Sequence, residues 1–331
     1  MSLMAIAQQI QQANSIVLTT HRQCDGDGLG CELALYYALK KIKKNVLIIN
    51  IDATPKKYQF LNPDHYIQYY DSNPNLPTSI DLVLIFDTND ERLVEPLYSH
   101  LKQKNTKIIF IDHHPLLQKG PRPNSDSFID MTAASTGEVV FSLIKLLQIP
   151  LDTKIAQALY TSITFDTQLY RFIRNSPNSH LIAAELLTYT IEPETIHRNL
   201  FSYQTVNKIA YMAKVLGNIE YYGNGKLACV LITQEDLKNY KLNFDEVRDI
   251  TDQIMSIASI EAAIVIRQDG PFQLKVSLRS KGAIEVLSTA ESIGGGGHWY
   301  ASGGSYQGDL YDLKNILIKN LEVHLQNIKA S

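Results

Sequence analysis

Three apolar runs of this 331-residue chain each end in residues able to hold a cation. Lys107-Ile108-Ile109-Phe110-Ile111 breaks into Asp112-His113-His114-Pro115, and the proline cannot continue a strand ladder. Ser15-Ile16-Val17-Leu18-Thr19-Thr20 runs into His21, with Asp25 and Asp27 following in His21-Arg22-Gln23-Cys24-Asp25-Gly26-Asp27-Gly28. Leu82-Val83-Leu84-Ile85-Phe86 ends on Asp87. Carboxylates gathered in one place raise the free energy of one another's ionised forms, so a compensating cation is required. Mixed imidazole and carboxylate ligands suit manganese, iron, cobalt or zinc better than calcium.

Strands have to bring those seven side chains together. Unbroken apolar runs read as strands buried on both faces of a parallel sheet. Strands alternating with helical stretches imply right-handed βαβ crossovers, and ligands then gather outside the carboxyl ends of the strands. The expected fold is α/β: a doubly wound, mostly parallel sheet over residues 1–190, a helical linker over 191–216 and a smaller α+β domain over 217–331. A catalytic cleft is expected between the two domains.

The spacing predicts helices over 4–13, 30–39, 134–147 and 152–163, and a strand over 45–51. Asp52 follows that strand without a glycine-rich fingerprint before it and reads as structural. Ser135, with Glu138 three positions on, resembles a capping box, and its helix reads as core. In the second half, apolar runs on either side of Gly223-Asn224-Gly225 signal a hairpin. A helix over 245–257 and strands over 262–267 and 272–279 follow.

Composition narrows the function classes. With 45% hydrophobic residues, 20% charged and a net charge of −3, the chain is an ordinary globular sequence without the basic excess that tracks a long nucleic acid. A long duplex partner is therefore not expected. No apolar run approaches the roughly 18–20 residues of a membrane span, no membrane partner is expected, and the start lacks a signal-peptide core. Three cysteines, an odd number, fit free thiols in a reducing compartment, and the expected location is the cytoplasm. Cys31 and Cys229 read as packing residues, whereas Cys24 lies in the first ligand loop beside harder ligands.

Asp112-His113-His114, with His21, Asp25, Gly26 and Asp27 upstream, resembles the DHH phosphoesterase superfamily, and Gly294-Gly295-Gly296-Gly297-His298 resembles its DHHA1 subgroup. The match spans nearly the whole chain. The resemblance implies that His21, Asp25 and Asp87 hold one metal and that Asp27, Asp87, His113 and Asp166 hold another. Asp166 enters only through the resemblance, from the family's Asp-Thr-Gly motif, here Asp166-Thr167-Gln168 with glutamine in the glycine's place. Five aspartates then call for two divalent ions, and the family points to Mn2+, with Mg2+, Co2+ or Fe2+ as alternatives. Asp112 would orient its neighbours, and His114 would donate to the substrate or its leaving oxygen.

The resemblance also gives Arg279, in Val276-Ser277-Leu278-Arg279-Ser280, a phosphate to bind, and Ser280 joins it. Gly295, Gly296 and Gly297 would offer bare backbone N–H groups to an anion, with His298 as a further donor. Trp299 reads as a packing residue, and His65, His100, His180, His197 and His324 as surface or capping residues.

Within the superfamily the layout is most similar to the nanoRNase (oligoribonuclease) and pAp-phosphatase branch. It implies hydrolysis of short oligoribonucleotides to 5′-mononucleotides and of pAp to AMP. Cyclic or linear dinucleotides such as c-di-AMP, pApA and pGpG need the same chemistry and stand as alternatives. A RecJ-like exonuclease would carry an added OB-fold, and a family II pyrophosphatase would lack the glycine-histidine loop. From another class, a non-catalytic nucleotide-binding module would need a broken metal site, yet every expected ligand position is filled. The expected partner is a short nucleic acid or nucleotide, and a homodimer is left open.

Overall fold

The computed structural model describes residues 1–62, 64–70, 76–104, 106–116, 120–202 and 204–329. It divides into two compact units, Met1–Tyr203 and Gln204–Ser331. The division falls inside the stretch expected as a linker.

The first unit runs α1 (Leu3–Gln12), β1 (Ser15–Thr20), α2 (Gly26–Lys41), β2 (Asn45–Asn50), β3 (Ile67–Tyr69), β4 (Leu82–Phe86), α3 (Leu97–Gln103), β5 (Lys107–Asp112) and β6 (Phe128–Ile129). Four helices close it: α4 (Thr136–Leu146), α5 (Thr153–Asp166), α6 (Asn178–Leu186) and α7 (Pro193–Phe201). The six strands pair in the order β3-β2-β1-β4-β5-β6, and every pairing is parallel. Chain order reverses between β1 and β4, the topological switch point where open α/β sheets place their ligands.

Two-sided burial accounts for the unbroken apolar runs. Ile16, Leu18, Leu84, Ile109 and Ile111 join the core cluster under α2, α4 and α5. Val17, Val83, Ile85, Ile108 and Phe110 pack on the opposite face with Leu97 and Leu101 of α3. A Cβ on Gly30 would run into the Ala158 carbonyl and the Ser162 side chain, so that glycine lets α2 and α5 approach closely.

The second unit comprises α8 (Val206–Gly217), β7 (Glu220–Tyr222), β8 (Leu227–Thr233), α9 (Gln234–Asn239), α10 (Ile250–Met255), β9 (Ala262–Gln268), β10 (Gln273–Ser280), α11 (Leu287–Glu291), β11 (Gly296–His298), β12 (Ala301–Gln307) and α12 (Leu310–Lys329). Its mixed sheet has the order β11-β12-β10-β9-β8-β7, with only β8 and β9 parallel. Gly223 and Asn224 both adopt positive φ, as a tight hairpin turn between β7 and β8 demands. One face packs against α8, α9 and α10, the other against α11 and α12.

Several boundaries differ from the sequence expectations. The second helix begins at Gly26 rather than residue 30, because Asp25 caps it by accepting from the backbone N–H groups of Asp27 and Gly28. The helix expected over 245–257 is a 3-10 turn, Phe244–Val247, followed by the short α10. Half of the glycine stretch is strand, since Gly296–His298 pairs with β12.

Candidate metal centre

The strands β1, β4 and β5 deliver their terminal residues to one place. His21 Nε2 lies 3.8 Å from Asp25 Oδ2 and 3.5 Å from Asp87 Oδ2. His113 Nε2 lies 3.8 Å from Asp87 Oδ1, 3.9 Å from Asp27 Oδ2 and 3.2 Å from Asp166 Oδ2. Two groups with metal-ligand spacing result, His21 with Asp25 and Asp87, and Asp27 with His113 and Asp166; a third joins Asp87, His113 and His114. Asp87 turns one oxygen to each side. Its backbone sits at φ +61, a left-handed conformation costly for a non-glycine residue and common at functional sites.

Both imidazoles are oriented from behind. His21 Nδ1 is 2.8 Å from the Arg22 carbonyl and His113 Nδ1 is 3.2 Å from the Ala133 carbonyl. A proton on each Nδ1 leaves each Nε2 lone pair facing the carboxylates, the arrangement of a metal-binding histidine. His113 Nε2 is buried and has no hydrogen-bond partner among the described residues. An orphaned imidazole nitrogen aimed into a nest of acids fits a cation.

Electrostatics point the same way. Burial is the largest cause in each case: it pushes the Asp27 carboxyl up to about 6, the Asp166 carboxyl up to about 7 and the Asp87 carboxyl well above its ordinary value, and neighbouring aspartates add to each rise. Burial also lowers the pKa of His113. A cation reverses this unfavourable crowding, and the donor set contains only imidazole nitrogen and carboxylate oxygen. Cys31 Sγ reaches Asp27 Oδ1 at 3.6 Å, but burial and the Asp27 and Asp87 charges hold it as a thiol. Cys24 is buried, its thiol is pushed up by burial, and it joins none of the metal-spaced groups among the described residues.

Among the described residues Asp112 joins none of these groups, while His114 Nδ1 lies 3.7 Å from Asp87 Oδ1. Asp112 Oδ1 accepts from the His113 backbone N–H at 2.8 Å and is paired with His114 Nδ1 at 2.8 Å. That hydrogen bond is the main cause raising the pKa of His114, whose ring is half exposed.

Four contributors carried no signal as site residues. Asn89 Nδ2 donates to Asp112 Oδ2 at 2.7 Å. At the start of α4, the backbone N–H groups of Thr136 and Gly137 donate to Asp27 at 2.8 and 3.1 Å, and Thr136 Oγ1 donates to Asp87 Oδ1 at 3.0 Å. Ser162 Oγ donates to Asp27 Oδ1. The helix read as plain core thus turns its N-terminus on Asp27. Ser135 caps it, while Glu138 accepts from Ala134 N rather than Ser135 N and from the Ser179 hydroxyl, so the expected capping box is only half formed. Asp52, read as structural, accepts from Gln23 N and fastens the first ligand loop.

Asp166 ends α5, and Gln168, Leu169 and Tyr170 after it all adopt positive φ. The position where the family has glycine is therefore left-handed here with a glutamine. Leu169 N donates to the Thr164 carbonyl and Tyr170 N to Thr167 Oγ1, both at 3.0 Å, which holds the turn.

In the second unit, register aligns the expected anion-binding residues. Arg279 of β10 pairs with Ala301 of β12, which pairs with His298 of β11. Paired side chains share a sheet face, so Arg279 and His298 flank the small Ala301, their Cα atoms roughly 10 Å apart across two strand spacings. Arg279 is exposed, and its guanidinium donates to the Leu278 carbonyl at 3.0 Å. Ser280 N donates to the Tyr300 carbonyl, and its hydroxyl accepts from Gly282 N. Not all the glycine N–H groups are bare: Gly294 and Gly295 donate to the Glu291 and Ala290 carbonyls, closing α11. Trp299, expected to pack, is 63% exposed. Among the histidines expected at the surface, His197 stacks on Tyr160, His180 on Tyr170, and His100 bonds the Tyr70 hydroxyl.

A doubly wound sheet with acids and imidazoles at its switch point, followed in sequence by a second mixed-sheet unit, defines a metal-dependent phosphoesterase class. Residues 15–163 match the DHH family N-terminal domain and residues 224–322 match the DHHA1 domain. The chain belongs to the DHH/DHHA1 phosphoesterase family. It is 28% identical over 299 residues to a bifunctional oligoribonuclease and PAP phosphatase, NrnA, of Thermus thermophilus, covering 88% of this chain and 84% of that one. The protein of that name from Bacillus subtilis is 26% identical, covering 88% and 89%. An exopolyphosphatase-related protein from Bacteroides fragilis has the same fold, with a TM-score of 0.86 at 24% identity over 99% of this chain and 97% of that one. Among the described residues, no helix is long and apolar enough to cross a membrane.

Proposed function

We propose that the protein hydrolyses short oligoribonucleotides and dinucleotides to 5′-mononucleotides, and pAp to AMP, with two divalent cations of which manganese is the preferred ion. The observation that carries this reading is Asp87, whose Oδ2 faces His21 and whose Oδ1 faces His113. One cation is assigned to His21, Asp25 and Asp87, the other to Asp27, Asp87, His113 and Asp166. Bound there, the cations supply Lewis acidity that offsets charge at phosphorus and makes water nucleophilic near neutral pH.

The protein's own groups do the rest. Thr136, Gly137 and Ser162 fix Asp27, and Thr136 fixes Asp87, so the ligands are held before substrate arrives. Asp112, anchored by Asn89, accepts from His114 Nδ1 and favours the charged imidazole, whose Nε2 gives its own proton to the leaving oxygen as the P–O bond breaks. Arg279 and His298, with Ser280 and the Gly296–Gly297 segment, hold a terminal phosphate, while the Gly295 N–H is already given to the Ala290 carbonyl. The names of the relatives from Thermus thermophilus and Bacillus subtilis support the choice of substrate. Three buried free thiols support a reducing compartment, the cytoplasm.

A manganese-dependent comparison of pAp, pApA, pGpG, cyclic dinucleotides and RNAs of a few residues tests the reading. Turnover of pAp and the shortest RNAs is the expected result. Absence of hydrolysis of all of them with any transition metal would contradict it.

A further inference from the structure

The β11–β12 hairpin turns through two residues, Trp299 and Tyr300, between the paired His298 and Ala301. Two-residue hairpin turns favour asparagine and glycine, because their backbone calls for positive φ. Neither Trp299 nor Tyr300 has positive φ, so these residue types are not explained by the turn itself. The backbone beneath them is fastened on both sides: Val286 N donates to the Trp299 carbonyl at 2.9 Å and Ser280 N to the Tyr300 carbonyl at 3.0 Å. The rings nevertheless stand in solvent, 63% and 51% exposed. A rigid base under two exposed aromatic faces, next in sequence to His298 and beside Arg279 in the sheet, is how a protein presents a stacking surface to a flat ligand adjoining a phosphate.

We infer that Trp299, with Tyr300 beside it, is a nucleobase-stacking subsite that sets the preference for base-bearing substrates. This rests on the nucleotide-hydrolase reading and deepens it. A stacked ring is sequence-tolerant, since every base has a π-face, so the subsite selects nucleotides over bare sugar phosphates without strong choice among bases. Arg279 and His298 then take the phosphate attached to the stacked nucleoside.

The chain contains a single tryptophan, so its intrinsic emission reports position 299 alone. Titrating the full-length enzyme with AMP is expected to quench that emission, whereas ribose 5-phosphate and inorganic phosphate leave it unchanged. Identical responses to AMP and ribose 5-phosphate would overturn the inference. In kinetics, Trp299→Ala is expected to reduce the KM preference for a dinucleotide over its abasic analogue by roughly tenfold, with Trp299→Phe keeping most of it. An unaltered preference in Trp299→Ala would overturn the inference while leaving the hydrolase reading intact. AMP-specific quenching in an enzyme that turns over no nucleotide would do the reverse.

Discussion

His114 Nδ1 stands 2.8 Å from Asp112 Oδ1, and that carboxylate is itself tied to the His113 backbone and the Asn89 amide. We propose two roles within this run of three residues: His113, whose Nε2 lies 3.2 Å from Asp166 Oδ2, as a cation ligand, and His114 as the group kept for the substrate.

His114→Ala is expected to lower kcat by roughly 10²- to 10³-fold while metal stoichiometry stays that of the unaltered enzyme. Single-turnover rates at saturating manganese, with metal content measured on the same sample, check this. Loss of one equivalent of metal in the variant would make His114 a ligand instead.

Thr136→Val removes the hydroxyl that donates to Asp87 but keeps the backbone N–H that donates to Asp27. Groups that orient a ligand from behind typically change metal affinity by about 10- to 100-fold when lost. Calorimetric titration should show weaker manganese binding, with kcat restored at saturating metal. Unchanged affinity would remove Thr136 from the site.

Glu32 provides a pH test away from the ligands. It is fully buried in α2, accepts from Asn50 Nδ2 at 2.9 Å through Oε2, and its Oε1 has no hydrogen-bond partner among the described residues. Burial pushes its carboxyl from 4.5 up to about 8, so the folded chain keeps a proton that the unfolded chain has already released. This contribution to stability is fully present below the unfolded value and is lost as pH rises through the folded one. Glu32→Gln cannot ionise, and its Tm should exceed that of the unaltered protein at about pH 9, with the gap closing toward about pH 5. A gap independent of pH would rule out the ionisation account.

Much of this was legible because the acids and imidazoles sit where apolar runs stop. Asp87 and Asp112 each end a strand whose neighbours are buried on both faces, and a period-two or unbroken apolar pattern shows such ends plainly. Asp166 was not visible that way. It is the last residue of a largely buried helix, and only the family pattern singled it out. Thr136, Gly137 and Ser162 were invisible because small polar residues in helices read as packing; their role arises where the starts of α2 and α4 meet α5, more than a hundred residues apart in sequence for Asp27 and Thr136. The exposure of Trp299 was likewise hidden, since hydropathy favours burial of a tryptophan and the turn that lifts it out depends on strand register.

Asp87→Asn replaces a buried carboxyl whose ionised form is disfavoured by burial and by the neighbouring aspartates. Without metal the variant is expected to melt at or above the temperature of the unaltered protein, and manganese should no longer raise its Tm. Scanning calorimetry with and without manganese decides it, and an undiminished metal-induced rise would show that Asp87 is no ligand.

The most direct test of the central claim is anomalous scattering from a crystal grown with manganese. Two peaks are expected, one among His21, Asp25 and Asp87 and one among Asp27, Asp87, His113 and Asp166, with the Asp87 carboxylate between them. A single peak, or two that do not share Asp87, would contradict the two-cation site.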